Sequence, residues 1–206
     1  MISKTKSNWL KLVGIVSMLI DHIGYTFFPT LIIFRLIGRI AFPIFAFQLG
    51  VGYKKTHNLK KYFLRLLGLA IISHIPYYFL KFPDLNIIFT LLAGLILIYL
   101  YDKKKYYLLP LVLVLPFFIS LDYGLYGLLT ILLFYVFPDR PFYLIISYTV
   151  LLVSIGFSYQ LFSLLALLFI FSPGYLNIKI PRYLFYYFYP GHLLIIYLIK
   201  EFVVAA

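Results

Sequence analysis

Apolar runs closed by charge, proline or glycine succeed one another almost from end to end, and this succession most constrains what the chain can fold into. They lie near 9–28, 31–53, 62–80, 87–101, 106–121, 123–137, 141–157, 159–172 and 183–204. Of the 206 residues 64% are hydrophobic and 12% charged, more apolar surface than one soluble core can hide. Mean hydropathy is +1.02. The chain therefore reads as an all-α, polytopic integral membrane bundle of about nine transmembrane helices, eight to ten within the uncertainty of the boundaries. Several central runs are short for a hydrocarbon core of about 30 Å, so they cross untilted, pair as hairpins, or enter without fully crossing.

The basic residues test this partition, because lysine and arginine accumulate in cytoplasmic loops. They fall on alternate turns: Lys4, Lys6 and Lys11; Lys54, Lys55, Lys60, Lys61 and Arg65; Lys103, Lys104 and Lys105; Arg140; Lys179 and Arg182. The turns between carry little. Pro29-Thr30 and Gly156–Ser158 have no charge, Ser120–Asp122 has only an acid, and Lys81–Asp84 balances one of each sign. The expected topology has nine crossings, with the N-terminus inside and the C-terminus outside.

The same bias accounts for the net charge of +12, so no nucleic-acid partner is implied; the immediate surroundings are membrane lipids. With no cysteine, disulfides, thiolate ligands and thioester intermediates are excluded, including the chemistry of Asp-His palmitoyltransferases. Lys4 and Lys6 before an apolar run resemble a signal peptide, but Asp21 and His22 would interrupt its core and no small-x-small site follows. The first span is expected to be retained. No linker or internal repeat divides the chain, which reads as one domain over 1–206. The lack of matching broken helices in its two halves weighs against a transporter.

Asp21 and His22 sit in the middle of the first run. An ionisable group at that depth costs roughly 2.5–3.5 kcal/mol on insertion scales and marks a pathway or a reaction centre. At 1.5 Å per residue, His22 lies about seven residues from the outer end of its run and Arg39 about nine from the outer start of the next, so the two share a depth. His74 is comparable, His192 lies near mid-membrane, and Asn86, Thr90 and Asp122 mark outer ends that lean over the same space. Arg35 and Arg39 share one helix face, and Asp21 can balance only one of them. The surplus charge predicts snorkelling of Arg35 or an anionic partner, such as Asp122 or a phosphate-bearing ligand, with Arg39 as the inward member. Asp21 and His22 point about 100° apart, so their partners come from other spans. Pairing Asp21 with Arg39 or a histidine leaves the His22 imidazole free to exchange protons.

Structural roles compete with these. Asp21 and Arg39 also suit a buried ion pair that fixes helix packing. His192, after Pro190, and His74, before Pro76, also suit bonds to carbonyls freed by proline kinks. His57 lies in a surface loop, the tyrosine clusters serve as interfacial anchors, and Gly38, Gly50, Gly52, Gly124 and Gly127 suit close helix contacts. His22, His74, His192 and the aspartates lack metal-ligand spacing, so no metal is expected.

Five segments follow in order: Met18-Leu19-Ile20-Asp21-His22-Ile23-Gly24-Tyr25, Gly38-Arg39-Ile40-Ala41-Phe42-Pro43-Ile44-Phe45-Ala46-Phe47, Asn86-Ile87-Ile88-Phe89-Thr90-Leu91, Asp122-Tyr123-Gly124-Leu125-Tyr126-Gly127 and Phe188-Tyr189-Pro190-Gly191-His192-Leu193-Leu194. Together they resemble the TraX family of membrane proteins, associated with N-acetylation of F-type pilin in conjugation. Residues 128–180 match only in hydropathy. The family is similar to a wider group of membrane acyltransferases that use cytoplasmic acetyl-CoA and a histidine in a transmembrane helix. The resemblance implies a multi-pass protein of the bacterial cytoplasmic membrane, with acetyl-CoA as co-substrate. His22 would be the base or transient acyl acceptor, Asp21 its electrostatic support and Arg39 a charge stabiliser or donor ligand. Arg35, Asn86, Asp122, His192 and His74 would line the cavity or position substrates. The acceptor, a protein such as pilin or a cell-surface glycan or lipid, stays open. A proton-coupled transporter and a non-catalytic assembly component are the competing expectations.

Overall fold

A computed structural model describes residues 2–156, 159–173, 175–181 and 183–204. Arg182, and Phe157 and Ser158 of the expected Gly156–Ser158 turn, lie outside the described residues. The helices are α1 (Lys4–Phe27), α2 (Ile32–Gly38), α3 (Ala41–Lys55), α4 (Leu59–Phe79), α5 (Ile87–Asp102), α6 (Leu109–Leu113), α7 (Gly124–Val136), α8 (Pro141–Ser154), α9 (Leu165–Phe171) and α10 (Leu184–Ile199). Turns of 3-10 helix at Tyr106–Leu108, Leu115–Phe117 and Tyr159–Leu164, and a π turn at Lys200–Val204, extend or join them. No strand occurs among the described residues, which hold one isolated parallel bridge between Leu85 and Leu121.

Lys4–Phe27, Ile32–Lys55 and Leu59–Phe79 are long and apolar enough to cross a membrane. The apolar helical segments Ile87–Asp102, Tyr106–Phe117, Gly124–Val136, Pro141–Ser154 and Tyr159–Phe171 are shorter, at 10–17 residues each with their 3-10 turns included. Most boundaries fall where charge, proline and capping place them. Ser3 caps α1 by accepting from the Lys6 amide, and Asn58 caps α4 by accepting from the Lys61 amide. Pro141 opens α8, where a missing N–H leaves no bond unmade.

Two runs depart from a single helix. The run at 31–53 breaks between Gly38 and Ala41, because Pro43 has no N–H for the Arg39 carbonyl and its ring crowds that carbonyl. The run at 106–121 forms only short helical pieces, since Pro110 and Pro116 interrupt any continuous ladder.

Helix α1 packs against α2 and α3, α4 against α5 and α10, and α7 against both α3 and α5. The core between them holds Leu10, Phe42, Ile44, Leu95, Ile131, Phe134 and Tyr148. One end of the bundle is basic: there the Lys55 ammonium donates to the Ile2 carbonyl (3.3 Å), and Tyr53 and Tyr135 both donate to Asp102 (3.0 and 3.1 Å). Toward the opposite end α1 and α2 approach so closely that a methyl group at Gly24 would overlap Phe34, and one at Gly38 would overlap the Asp21 carboxylate. This close approach sets the position of the site.

Candidate functional site

Helix α1 presents two polar residues to two different neighbours. Asp21 faces α2, where its Oδ2 accepts from Arg35 Nη1 (2.9 Å) and its Oδ1 accepts from Arg39 Nη2 (3.1 Å). The carboxylate thus engages both arginines rather than one. Arg39 is 5% exposed, the inward member, and its Nε donates to the Arg35 carbonyl (3.2 Å). The Arg35 side chain is 29% exposed and reaches toward the surface. Arg35 also lies over the Tyr25 ring and Arg39 over the Tyr123 ring. Tyr123 stacks in turn on Phe42, with centroids 4.3 Å apart. To put its ring there Tyr123 adopts φ +65°, a left-handed conformation unfavourable for a non-glycine residue, followed by Gly124 at φ +48°. Asp122, in the same turn, lies within electrostatic reach of Arg39, so the surplus positive charge meets a second carboxylate.

His22 turns toward α10. Its Nδ1 lies 2.8 Å from Nε2 of His192, and the rings stack at 5.0 Å and 17°. The expectation of a free His22 imidazole is therefore corrected: the first and last long helices meet through two histidines. His192 Nδ1 donates to the Phe188 carbonyl (2.8 Å), so its expected bond to backbone exists. That carbonyl lies one turn before His192 and is not the Tyr186 carbonyl that Pro190 deprives of a partner. Both histidines are buried, and Phe82, Phe188 and Tyr189 surround them.

The other expected residues stand further off. Asn86 is fully buried, but its side chain is committed: it donates to the Ala70 carbonyl (2.8 Å) and accepts from the Ile88 amide, joining α5 to α4. Thr90 donates to the Asp122 carbonyl (2.5 Å). His74 packs on Tyr77 and Phe89, and Tyr77 stacks on Phe82, so His74 reaches His22 only through two intervening rings. Among the described residues no group of three or more histidines and carboxylates could hold a metal.

A cavity of about 530 Å³ opens at the basic end. Lys11, Lys55, His57 and Arg65 line it, and its walls are mostly apolar. Lys11, Ile15 and Met18 line it from α1, and His22 continues their 4-3-4 spacing on the same helix face, one turn beyond Met18. Phe188 and Tyr189 line the cavity and also touch the histidine pair. The basic-mouthed cavity and the histidine pair thus share Phe188 and Tyr189 as neighbours, although neither imidazole lines the cavity itself. Lys54 sits over the Tyr135 ring, Lys103 lies 3.9 Å from Asp102, and neither lines this cavity.

Fold and site define a helical membrane protein that buries a histidine pair beside an ion cluster, with a basic-mouthed cavity that shares Phe188 and Tyr189 with the pair. The family described as TraX protein matches residues 6–200, and the chain belongs to it. An uncharacterized protein of Rickettsia prowazekii (strain Madrid E) is 31% identical over 106 residues, half of this chain. That match spans 42% of the relative's length. No solved structure matches the chain.

Proposed function

We propose that this protein is a multi-pass acetyltransferase of the cell membrane, crossing it nine times with the N-terminus and the basic end on the cytoplasmic side. His22 acts as the general base for an acceptor amine or hydroxyl. The observation that carries this reading is the cavity wall of Lys11, Ile15 and Met18, whose spacing His22 continues one turn further along α1, together with Phe188 and Tyr189, which border both the cavity and the histidine pair.

The residues present fit an acyl-CoA donor. Lys11, Lys55 and Arg65 would hold its phosphates, and the apolar walls would take the extended arm. From Lys11 to His22 is about 16 Å along the helix at 1.5 Å per residue, which separates an anionic head from a reacting group at the far end. Acetyl-CoA supplies the activated acyl group. His22 removes the acceptor's proton as the acceptor attacks, and the aromatic surround keeps water from competing. Arg39 has its Nε and Nη2 committed to Arg35 and Asp21, so it contributes field rather than a direct bond to the oxyanion. By its family association the acceptor is a pilin N-terminus in a conjugation system; a surface glycan would present an equally suitable hydroxyl.

Purified protein with radiolabelled acetyl-CoA and a panel of amine and hydroxyl acceptors tests the proposal. Wild type should transfer label, and His22→Ala should lose about a hundredfold or more of the rate. Equal background turnover by both proteins with every acceptor would sink it. Because the chain has no cysteine, single introduced cysteines probed from either side of the membrane test the nine crossings.

A further inference from the structure

We infer that His192 is a positioning residue that fixes the tautomer of His22 and then shares its proton. The tautomer follows from geometry alone, and the sharing of the proton rests on the transferase reading. A carbonyl oxygen can only accept, so the 2.8 Å contact of His192 Nδ1 with the Phe188 oxygen puts a proton on Nδ1. In neutral His192 the other nitrogen, Nε2, then carries a lone pair. It faces Nδ1 of His22 at 2.8 Å, so that atom must be the donor. Neutral His22 is thereby held as the Nδ1–H tautomer, with its basic lone pair on Nε2. The opposite assignment would set two lone pairs against each other at hydrogen-bond distance.

The second half follows from what surrounds the pair. Arg35 of α2 and Arg39 at its C-terminal cap lie within electrostatic reach of His22, their charge partly offset by Asp21, while α10 and the loop before α5 offer His22 the rings of Tyr189 and Phe82. Positive charge left on His22 alone would stand close to two guanidiniums. When Nε2 of His22 takes the acceptor's proton, the Nδ1 proton can pass across the 2.8 Å bond to Nε2 of His192. That leaves His22 neutral and His192 as an imidazolium whose Nδ1–H is held by the Phe188 carbonyl. The acceptor's new bond to the acetyl carbon breaks the carbon–sulfur bond of the thioester. The proton then returns through the same two rings to the departing thiolate, so one proton moves from acceptor to thiol and none is left over.

Nitrogen-15 histidine labelling of the full-length protein in nanodiscs, read by long-range proton–nitrogen correlation near neutral pH, tests this without any turnover. His22 and His192 should both appear as Nδ1–H tautomers, assigned by the loss of one set of signals in His22→Gln and the other in His192→Gln. In His192→Phe, His22 should shift to the Nε2–H form preferred by free imidazole. His192→Gln, whose side-chain oxygen can accept from His22 Nδ1–H but cannot take the proton, should keep the His22 tautomer. In acetyl transfer, both variants should lower kcat by about a hundredfold with donor KM changed less than about twofold. An Nε2–H tautomer of His22 in wild type, or one unchanged by His192→Phe, would overturn the inference. A protein that shows the expected tautomers and no acetyl transfer would overturn the transferase reading alone.

Discussion

Asp21 and His22 are adjacent in the chain, yet each belongs to a different kind of polar centre. Around Asp21 both carboxylate oxygens and two guanidiniums are engaged, with partners 14 and 18 residues away on the next helix. Around His22 one nitrogen meets a histidine 170 residues away, and the ring packs among Phe82 and Tyr189. Saturated, fixed charge holds helices together; an imidazole in an apolar wall, with one nitrogen oriented by a partner, can exchange a proton. The difference teaches that adjacent residues of a membrane helix can divide their work, Asp21 for packing and, on the proposed function, His22 for chemistry.

The largest expected effect breaks the packing half. Asp21→Ala leaves Arg35 and Arg39, both on the α2 side of the α1–α2 contact, without their shared carboxylate, and thermal unfolding in detergent should report a loss of about 3 kcal/mol, as for other broken buried pairs. If that variant instead unfolds like wild type while losing acetyl transfer, the division between the two residues fails. Gly38→Ala strikes the same contact from the other side. Its methyl group would overlap the Asp21 carboxylate and push α2 away, at about 1–3 kcal/mol in the same measurement. The smallest structural effect lies at the cavity mouth. Lys55→Ala with Arg65→Ala removes two exposed cations, so stability should stay within about 0.5 kcal/mol. Donor KM should nonetheless rise several-fold, more at low salt than at high, because the attraction is screened. An unchanged KM would detach the cavity from the donor.

Much of this was legible from local pattern. Apolar runs bounded by charge and proline gave most helix limits within a few residues, and four-residue spacing put Arg35 and Arg39 on one face with Arg39 inward. The break before Pro43 and the fragmentation after Lys105 also had their signals, prolines inside apolar runs, but hydropathy alone reads through them. The stripe Lys11, Ile15, Met18, His22 was present as spacing, yet a single wall does not reveal a cavity whose remaining sides come from α3, α4, α5 and α10. Nothing near His22 in the chain specifies His192. Their meeting depends on how α1 and α10 are brought together, and Asn86, which a depth argument places at the site, is instead consumed in joining two helices.

The separation of 14 against 170 residues also sets an order of assembly. A ribosome adding about 5–20 residues per second makes Arg35 and Arg39 within a few seconds of Asp21, so the ion cluster can close while most of the chain is unmade. His22 must wait roughly 10 to 30 seconds for its partner. During that interval the first hairpin is already anchored, and the histidine pair does not yet exist. On the proposed function, a shortened chain that stops before α10 would insert its first helices and remain inert, with competence conferred only when the helix carrying His192 docks.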